Sequence, residues 1–227
     1  MPIPVSKPFE KQTAKDRAYH QIKEWIIDGT LTPNEKLAEV DLASAISVSR
    51  TPIREALLKL NEDGFVIMAA GKITKVAPLE SEDISRLYEP MAVIEGLAAN
   101  QAASRVTEDD FKKLATLEKK YRVALNSQKQ AAALKADRNF HEKILEIADN
   151  SYEKQFSELL YGHIIRYEMY FFNSLAKDSK QQPITSHHDA LLRALAEHNS
   201  PKASAAMTKD WLTTMKTLQS FEVENDE

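Results

Sequence analysis

Cysteine is absent from this sequence of 227 residues, so disulfide bonds and thiolate metal ligands are excluded. Glycine occurs only five times, whereas helix-favouring residues such as Ala, Leu, Glu and Lys are frequent, which favours helices over sheets. No apolar run is long enough to span a bilayer, and the first residues lack the apolar core of a signal peptide. We therefore expect a helical cytoplasmic protein with no membrane partner, and the length favours two domains.

Charge is distributed unevenly along the chain, although the net charge is only −4. Residues 1–78 contain 11 Lys and Arg against 10 Asp and Glu, which leaves 19 against 24 for the remainder. If nucleic acid is a partner, the first third is therefore the better candidate to contact it. Binding would depend on individually placed cations rather than on bulk charge.

The first 78 residues predict three helices followed by a hairpin. Residues 1–13 are rich in Pro and Lys, show no apolar period and are interpreted as a flexible arm. Apolar spacing then predicts helices at about 15–28, 39–46 and 50–62. Two β-prone runs, "FVIM" and "ITKVAP", flank "AAGK" and predict a small hairpin. This order indicates a winged helix-turn-helix domain over residues 14–78.

The rest of the chain has helical periodicity almost throughout. Candidate helices lie at about 82–104, 107–126, 128–148, 151–176, 183–198 and 200–220. Six helices in this length favour a compact antiparallel bundle of six or seven helices, assigned to residues 79–222. The predicted fold class is therefore mostly α.

Two arginines open the helix predicted at 50–62, in the stretch "SVSRTPIREALLKL". Its apolar residues follow an i, i+3, i+4, i+7 spacing that predicts a buried face. Arg50, Thr51 and Arg54 fall on a neighbouring arc, called the recognition arc below. The helix dipole disfavours cations at an N-terminus, so helix stability does not explain them. The N-terminal end of a recognition helix enters the major groove, where Arg can contact guanine; the alternative is a solvated helix start with a surface salt bridge.

The segments "DGTLTPNEKL" and "SRTPIREAL" together resemble the N-terminal domain of the GntR family of bacterial transcription regulators. In that family the winged helix binds a palindromic operator as a dimer. The resemblance implies that the recognition arc contacts bases or phosphates and that Lys36 contacts the phosphate backbone. It also implies that Gly71 and Lys72, at the wing tip, lie near the minor groove, although "AAGKIT" has less Gly and Arg than the usual wing.

Two polar residues share an apolar helix face in "ADRNFHEKILEIADN". Asp137 and His141 are spaced i, i+4, and Ile144 and Ala148 continue their face towards the bundle interior. A carboxylate and an imidazole in an apolar core must be hydrogen-bonded, paired or bound to a metal. The residues themselves leave open a buried Asp–His hydrogen bond and a metal site.

Two later helices add further metal-competent side chains. His188 shares a face with leucines in "ITSHHDALLRALAEH", and Asp210 shares a face with Ala203 and Ala206 in "ASAAMTKDWLTTM". Two His with one or two carboxylates suit a divalent transition metal such as Zn, Ni, Mn or Fe. Open coordination positions on such an ion could bind the carboxylate of an effector.

This second half is similar to the FCD domain of the FadR-like branch of the same family. Many FCD domains bind metal through one Asp and three His. Asp137, His141 and His188 match that pattern, whereas Asp210 stands where the last His is usual. The family often has an Arg, associated with holding an organic acid, where this sequence has Met91. The resemblance implies a small-molecule effector, with an organic acid as one possibility.

The long helix containing "LLYGHIIRYEMYFF" supplies His163 and Arg166 as candidate effector-pocket residues. The resulting prediction is a ligand-responsive repressor that acts as a homodimer and is not an enzyme. One alternative is a metal-dependent hydrolase with an appended DNA-binding module. Against it, Glu142 is adjacent to His141 but turns away from the interior. The other alternative is an architectural DNA-binding protein whose bundle serves only to dimerise.

Overall fold

The chain forms two compact units in a computed structural model, residues 1–78 and residues 79–227. The structure describes residues 13–68, 73–175 and 188–225, without the side chains of 173–175 and 221–225. The predicted arm, apart from Thr13, and the predicted wing tip at Gly71 and Lys72 therefore lie outside the described residues.

The first unit contains three helices and a short antiparallel hairpin among its described residues. They are α1 (Ala14–Ile27), α2 (Glu39–Ile46), α3 (Arg50–Glu62), β1 (Val66–Ile67) and β2 (Lys75–Val76). Val66 pairs with Val76 in the hairpin. Ile22, Ile53 and Phe65 are fully buried and form part of one core beneath the helices and the hairpin. The predicted winged helix-turn-helix layout is confirmed.

Local sequence explains where these helices begin and end. Thr13 and Asp16 form a reciprocal capping box that starts α1. Ser47 adopts a left-handed conformation with φ of 58° and ends α2. Gly64, with φ of 78°, follows the end of α3, a conformation that glycine adopts at little cost. The link between α2 and α3 is therefore short, and the recognition helix α3 directly follows α2, against which it packs.

The second unit is an all-helical bundle, which confirms the predicted mostly α class. Its helices are α4 (Ser81–Arg105), α5 (Glu108–Asn126), α6 (Gln130–Ala148), α7 (Ser151–Leu175), α8 (His188–Ala196) and α9 (Ser200–Asn225). The start predicted for α8, at 183–187, lies outside the described residues. Helix α9 continues past the predicted end at residue 220. Within the described part of the chain, no helix is both long and apolar enough to cross a membrane.

Helix α4 packs against α6, α7, α8 and α9 and forms the centre of the bundle. Gly96 permits its close approach to α9, because a Cβ at this position would collide with Oγ1 of Thr208. The same Thr208 hydroxyl donates a hydrogen bond to the carbonyl oxygen of Ala92 at 3.2 Å. This approach brings Glu95 of α4 within hydrogen-bonding distance of Trp211 of α9.

Candidate nucleic-acid interface and candidate metal centre

The recognition arc lies on the exposed side of α3. Ile53 and Leu57, on the opposite side, are fully buried and fix the helix on the core. Nη2 of Arg50 is 3.3 Å from Oε2 of Glu39, in an exposed pair of the kind that contributes only about 0–1 kcal/mol. Among the described residues, Arg54 has no salt-bridge partner. Both guanidinium groups can therefore turn to a phosphate or a base at little cost.

Lys36 lies beside the hairpin, as an exposed residue that forms a single antiparallel bridge with Lys75 of β2. Nζ of Lys75 donates to Oδ1 of Asn34 at 3.0 Å, which leaves the Lys36 ammonium as a second cation at the same edge. The structure thus places Lys36 next to the wing strands, where the resemblance implies a contact with the DNA backbone.

The four predicted metal ligands converge inside the bundle from α6, α8 and α9. Nε2 of His188 is 3.4 Å from Oδ1 of Asp137 and 3.8 Å from Oδ2 of Asp210. Nε2 of His141 is 3.9 Å and 4.0 Å from the same two carboxylates. Potential ligand atoms of Asp137, His141 and His188 all lie within 4.8 Å of one another. We call these four residues the ligand set.

Each histidine of the ligand set is held by a carboxylate through its other ring nitrogen. Nδ1 of His141 is 2.5 Å from Oε2 of the fully buried Glu95. Nδ1 of His188 is 2.6 Å from Oε2 of the buried Glu118. When Nδ1 donates its proton to a carboxylate, the Nε2 lone pair is directed at a metal and its basicity increases. Both imidazoles are therefore oriented so that Nε2 faces the two aspartates.

Further hydrogen bonds fix Glu95 in place. Ser157 donates to one carboxylate oxygen at 2.7 Å, and Nε1 of Trp211 donates to the other at 3.0 Å. Burial opposes ionisation of Glu95, but the charge and hydrogen bond of His141 outweigh it and lower the pKa of Glu95. Burial likewise opposes protonation of His141, yet Glu95, Asp137 and Asp210 together raise its pKa to about 9. The centre therefore stabilises positive charge, as a metal site must.

Three members of the ligand set, Asp137, His141 and Asp210, line a small cavity of about 20 Å³. Its lining residues are Tyr121, Leu134, Asp137, His141, Glu168, Phe172, Asp210, Trp211 and Thr214. The buried Glu168 accepts a hydrogen bond from the Tyr88 hydroxyl at 3.0 Å. Burial, and then the charge of Asp137, raise the pKa of Glu168 to about 8.

Helix α7 turns different residues to this cavity from those named in the sequence analysis. Glu168 and Phe172 line it, whereas His163 and Arg166 are not among its lining residues. Arg166 lies two positions before Glu168 and so about 200° away around the helix. An effector role for His163 and Arg166 therefore stays a prediction for a place other than this cavity.

Sequence reasoning missed Glu95 and Glu118, although both lie on apolar helix faces. Glu95 shares its face with the buried Tyr88 and Ala99, and Glu118 shares its face with Leu114 and Tyr121. A carboxylate at a core position must find a buried partner, and this signal was present in the sequence. Which partner it finds is decided by the bundle and not by local spacing.

Glu95→Gln tests whether the Glu95 carboxylate orients His141 for metal binding. We expect metal affinity to fall about 10- to 100-fold, since Gln cannot accept the Nδ1 proton with a full negative charge. Competition with a chromogenic chelator measures the change. Glu142→Gln is the matched control, because that carboxylate is 45% exposed and pairs with Arg138 on the same helix. Equal affinities for the two variants would contradict the assigned role of Glu95.

Comparison with known proteins matches both units to family models. Residues 14–76 match the model described as bacterial regulatory proteins of the gntR family, and residues 86–211 match the FCD domain. The chain is 28% identical over 141 residues to the HTH-type transcriptional regulator YdhC of Bacillus subtilis, covering 62% of this chain and 63% of that protein. The first three curated relatives are matched over only 50–63% of their length.

Other relatives are matched over nearly their whole length. The chain is 23% identical over 216 residues to the HTH-type transcriptional repressor RspR of Escherichia coli, covering 95% of this chain and 93% of that protein. Among solved structures, Escherichia coli McbR/YncC has a TM-score of 0.77 at 18% identity, covering 93% of this chain and 100% of that one. A putative transcriptional regulator GntR from Rhodococcus has a TM-score of 0.73 at 20% identity, covering 91% and 98%. At these identities the structures establish the shared fold alone.

Proposed function

Because the chain belongs to the GntR family of bacterial transcription regulators and carries an FCD domain, we propose that it represses transcription by binding a palindromic operator as a homodimer. An effector bound in the helical bundle changes its affinity for that operator. The chain is a DNA-binding regulator and not an enzyme, so it acts in the cytoplasm where the DNA lies.

A divalent transition metal bound by the ligand set is the second part of the proposal. The observation that carries it is the pair of imidazoles, each held through Nδ1 by a buried carboxylate and each turning Nε2 to the same two aspartates. Two imidazoles with two carboxylates suit Zn, Mn, Ni or Fe. A bundle that served only to dimerise would need no such buried polar centre, so the geometry favours a sensor over a purely architectural protein.

Glu142, the carboxylate next to His141 in the sequence, is not placed to act as the general base that the hydrolase alternative needs. Glu142 follows His141 in the sequence, but its carboxylate accepts a hydrogen bond from Nε of Arg138 at 2.8 Å and is half exposed. Glu95 and Glu118 are engaged by the two histidines. Glu95 and Glu118 therefore position the two histidines, which agrees with the regulator family.

An exposed apolar surface supports the homodimer. Helices α4 and α7 pack side by side, and each exposes apolar side chains to solvent. These residues, called the apolar face, are Val93, Leu97, Tyr152, Phe156 and Leu159. On α7 they recur with spacings of four and three residues, the period of a helix seam that packs against another helix. Exposed apolar side chains on two neighbouring helices are typical of a protein–protein interface.

Leu159→Glu should convert the dimer to a monomer at micromolar concentration, because a carboxylate would be buried without a partner in the interface. Light scattering coupled to size exclusion measures the mass. Val123→Glu is the control, since Val123 is also exposed but lies on α5 outside the apolar face. A dimer that persists in Leu159→Glu, or is lost in both variants, would argue for another interface.

Operator binding is tested with the DNA upstream of the gene that encodes the chain. Fluorescence anisotropy at several salt concentrations should show tighter binding to this DNA than to a scrambled sequence at every salt concentration. Affinity should fall with salt as counterions are released from the phosphates. Equal affinity for both DNAs would contradict specific operator recognition.

A further inference from the structure

We propose that the metal ion is itself the signal that the bundle senses and that no organic acid is needed at the ligand set. The inference rests on the metal site proposed above and specifies how that site regulates the protein. It follows from the space beside the ligand set, from the lack of a cationic side chain in the described lining of that space and from the helices that an ion would connect.

The cavity beside the ligand set is too small for an organic effector. Its volume of about 20 Å³ is close to that needed for one water molecule. An ion held by Asp137, His141, His188 and Asp210 would leave room there for a water ligand. Even acetate has four non-hydrogen atoms and would have to displace the buried side chains of Leu134 or Trp211.

The walls of the cavity also disfavour an anion. Asp137, Asp210 and Glu168 contribute three carboxyl groups, and the described lining contains no Lys or Arg. The guanidinium of Arg138 is directed elsewhere, to the Glu142 carboxylate and over the ring of Tyr161 at 4.1 Å. A carboxylate ligand would therefore find only the ion, and no cationic side chain of the described lining, to compensate for its lost hydration.

An ion alone would connect several helices of the bundle and could therefore change its conformation. The ligand set joins α6, α8 and α9, and the histidines are tied to α4 through Glu95 and to α5 through Glu118. Asp137 and Asp210 each lie within 4.0 Å of Nε2 of both histidines, so a single ion can reach ligands on all three helices. A ligand shifts a conformational equilibrium by its difference in affinity for the two states. Because its ligands come from three helices, the ion would bind a state that holds these helices together more tightly than a state that separates them.

Titration of chelator-treated full-length protein with zinc, manganese, nickel or ferrous salts tests the inference. Anisotropy with the upstream DNA should show that at least one metal alone changes operator affinity by about 5- to 150-fold, the usual range of allosteric coupling. Adding acetate or citrate to that metal-loaded protein should change affinity less than twofold, compared with a control that corrects for metal chelated in solution. Elemental analysis of the same samples gives the metal stoichiometry.

Two failures are distinguishable in this experiment. If metal binds one per chain but operator affinity responds only after an acid is added, the inference is wrong while the proposed metal site stands. If no metal binds to the wild-type protein, the metal site and the inference both fail.

Cobalt-loaded variants test why acids are excluded, since the visible spectrum of cobalt reports a change of ligand. Acetate should leave the wild-type spectrum unchanged and should alter that of Leu134→Ala, which opens space where acetate would otherwise collide with a buried side chain. Glu168→Gln is the matched control, because it changes the carboxyl group without adding space, and its spectrum should not respond. A response of the wild type would overturn the inference. A response of Glu168→Gln, or none from Leu134→Ala, would overturn the claim that lack of space excludes the acid.

Discussion

His141→Ala is expected to abolish stoichiometric metal binding. The variant removes one of the two imidazoles whose Nε2 lies within 4.0 Å of both aspartates, the one whose Nδ1 is held by Glu95. The loss should exceed the about 10- to 100-fold effect expected when only the supporting carboxylate is changed. Elemental analysis after dialysis against zinc, with chelator competition for the affinity, measures the result.

Thermal unfolding provides a second readout of the same variant. Metal that binds only the folded state stabilises it by about 2.7 kcal/mol at a free concentration one hundred times Kd. Wild-type protein should therefore melt at a higher temperature with zinc, whereas His141→Ala should show little shift. His163→Ala is the control, because His163 is in the same bundle but does not line the cavity. Full metal stoichiometry in His141→Ala, or its loss in His163→Ala, would contradict the assigned ligand set.

Arg54→Ala should weaken specific operator binding by about 1–3 kcal/mol and relax discrimination at one base pair of each half-site. Arg54 is exposed on the recognition arc of α3, while Ile53 beside it is fully buried and fixes the helix. Binding to a set of singly substituted operators measures the discrimination. The loss should be confined to one position of the half-site if Arg54 contacts a base.

Arg54→Lys separates charge from geometry. Lysine keeps the positive charge but lacks the planar fork that forms two hydrogen bonds with guanine, so salt dependence should persist while discrimination falls. Lys59→Ala is the control on the same helix, because the Lys59 ammonium lies over the Tyr19 ring at 4.3 Å and outside the recognition arc. If Arg54→Ala still discriminates fully between the operator and its substituted variants, Arg54 does not recognise a base.

Local periodicity was sufficient to predict much of the fold. The bounds of α2 and α3 agree with the predicted ones, since short links and the glycine after α3 are encoded by adjacent residues. The inward positions of His141 and His188 also followed from helical spacing alone. Asp210 was found in the same way, because its face of α9 carries small and apolar residues.

Other parts of the centre depend on tertiary structure that spacing does not contain. Glu95 is 46 residues from His141, and Glu118 is 70 residues from His188, so neither pairing could be derived before the helices were packed. Helix α7 was difficult for a different reason. It is buried on several sides, with Arg166 and Glu168 both inaccessible, so its apolar pattern does not reveal which side faces the cavity.

The central claim is that the bundle holds a divalent metal between two imidazoles and two carboxylates. The most direct test is anomalous X-ray diffraction from crystals of untreated full-length protein, with data collected on both sides of candidate metal absorption edges. We predict one anomalous peak per chain, bonded to Nε2 of His141 and His188 and to oxygens of Asp137 and Asp210. Well-ordered density for these side chains without such a peak, in protein supplied with metal, would contradict the account.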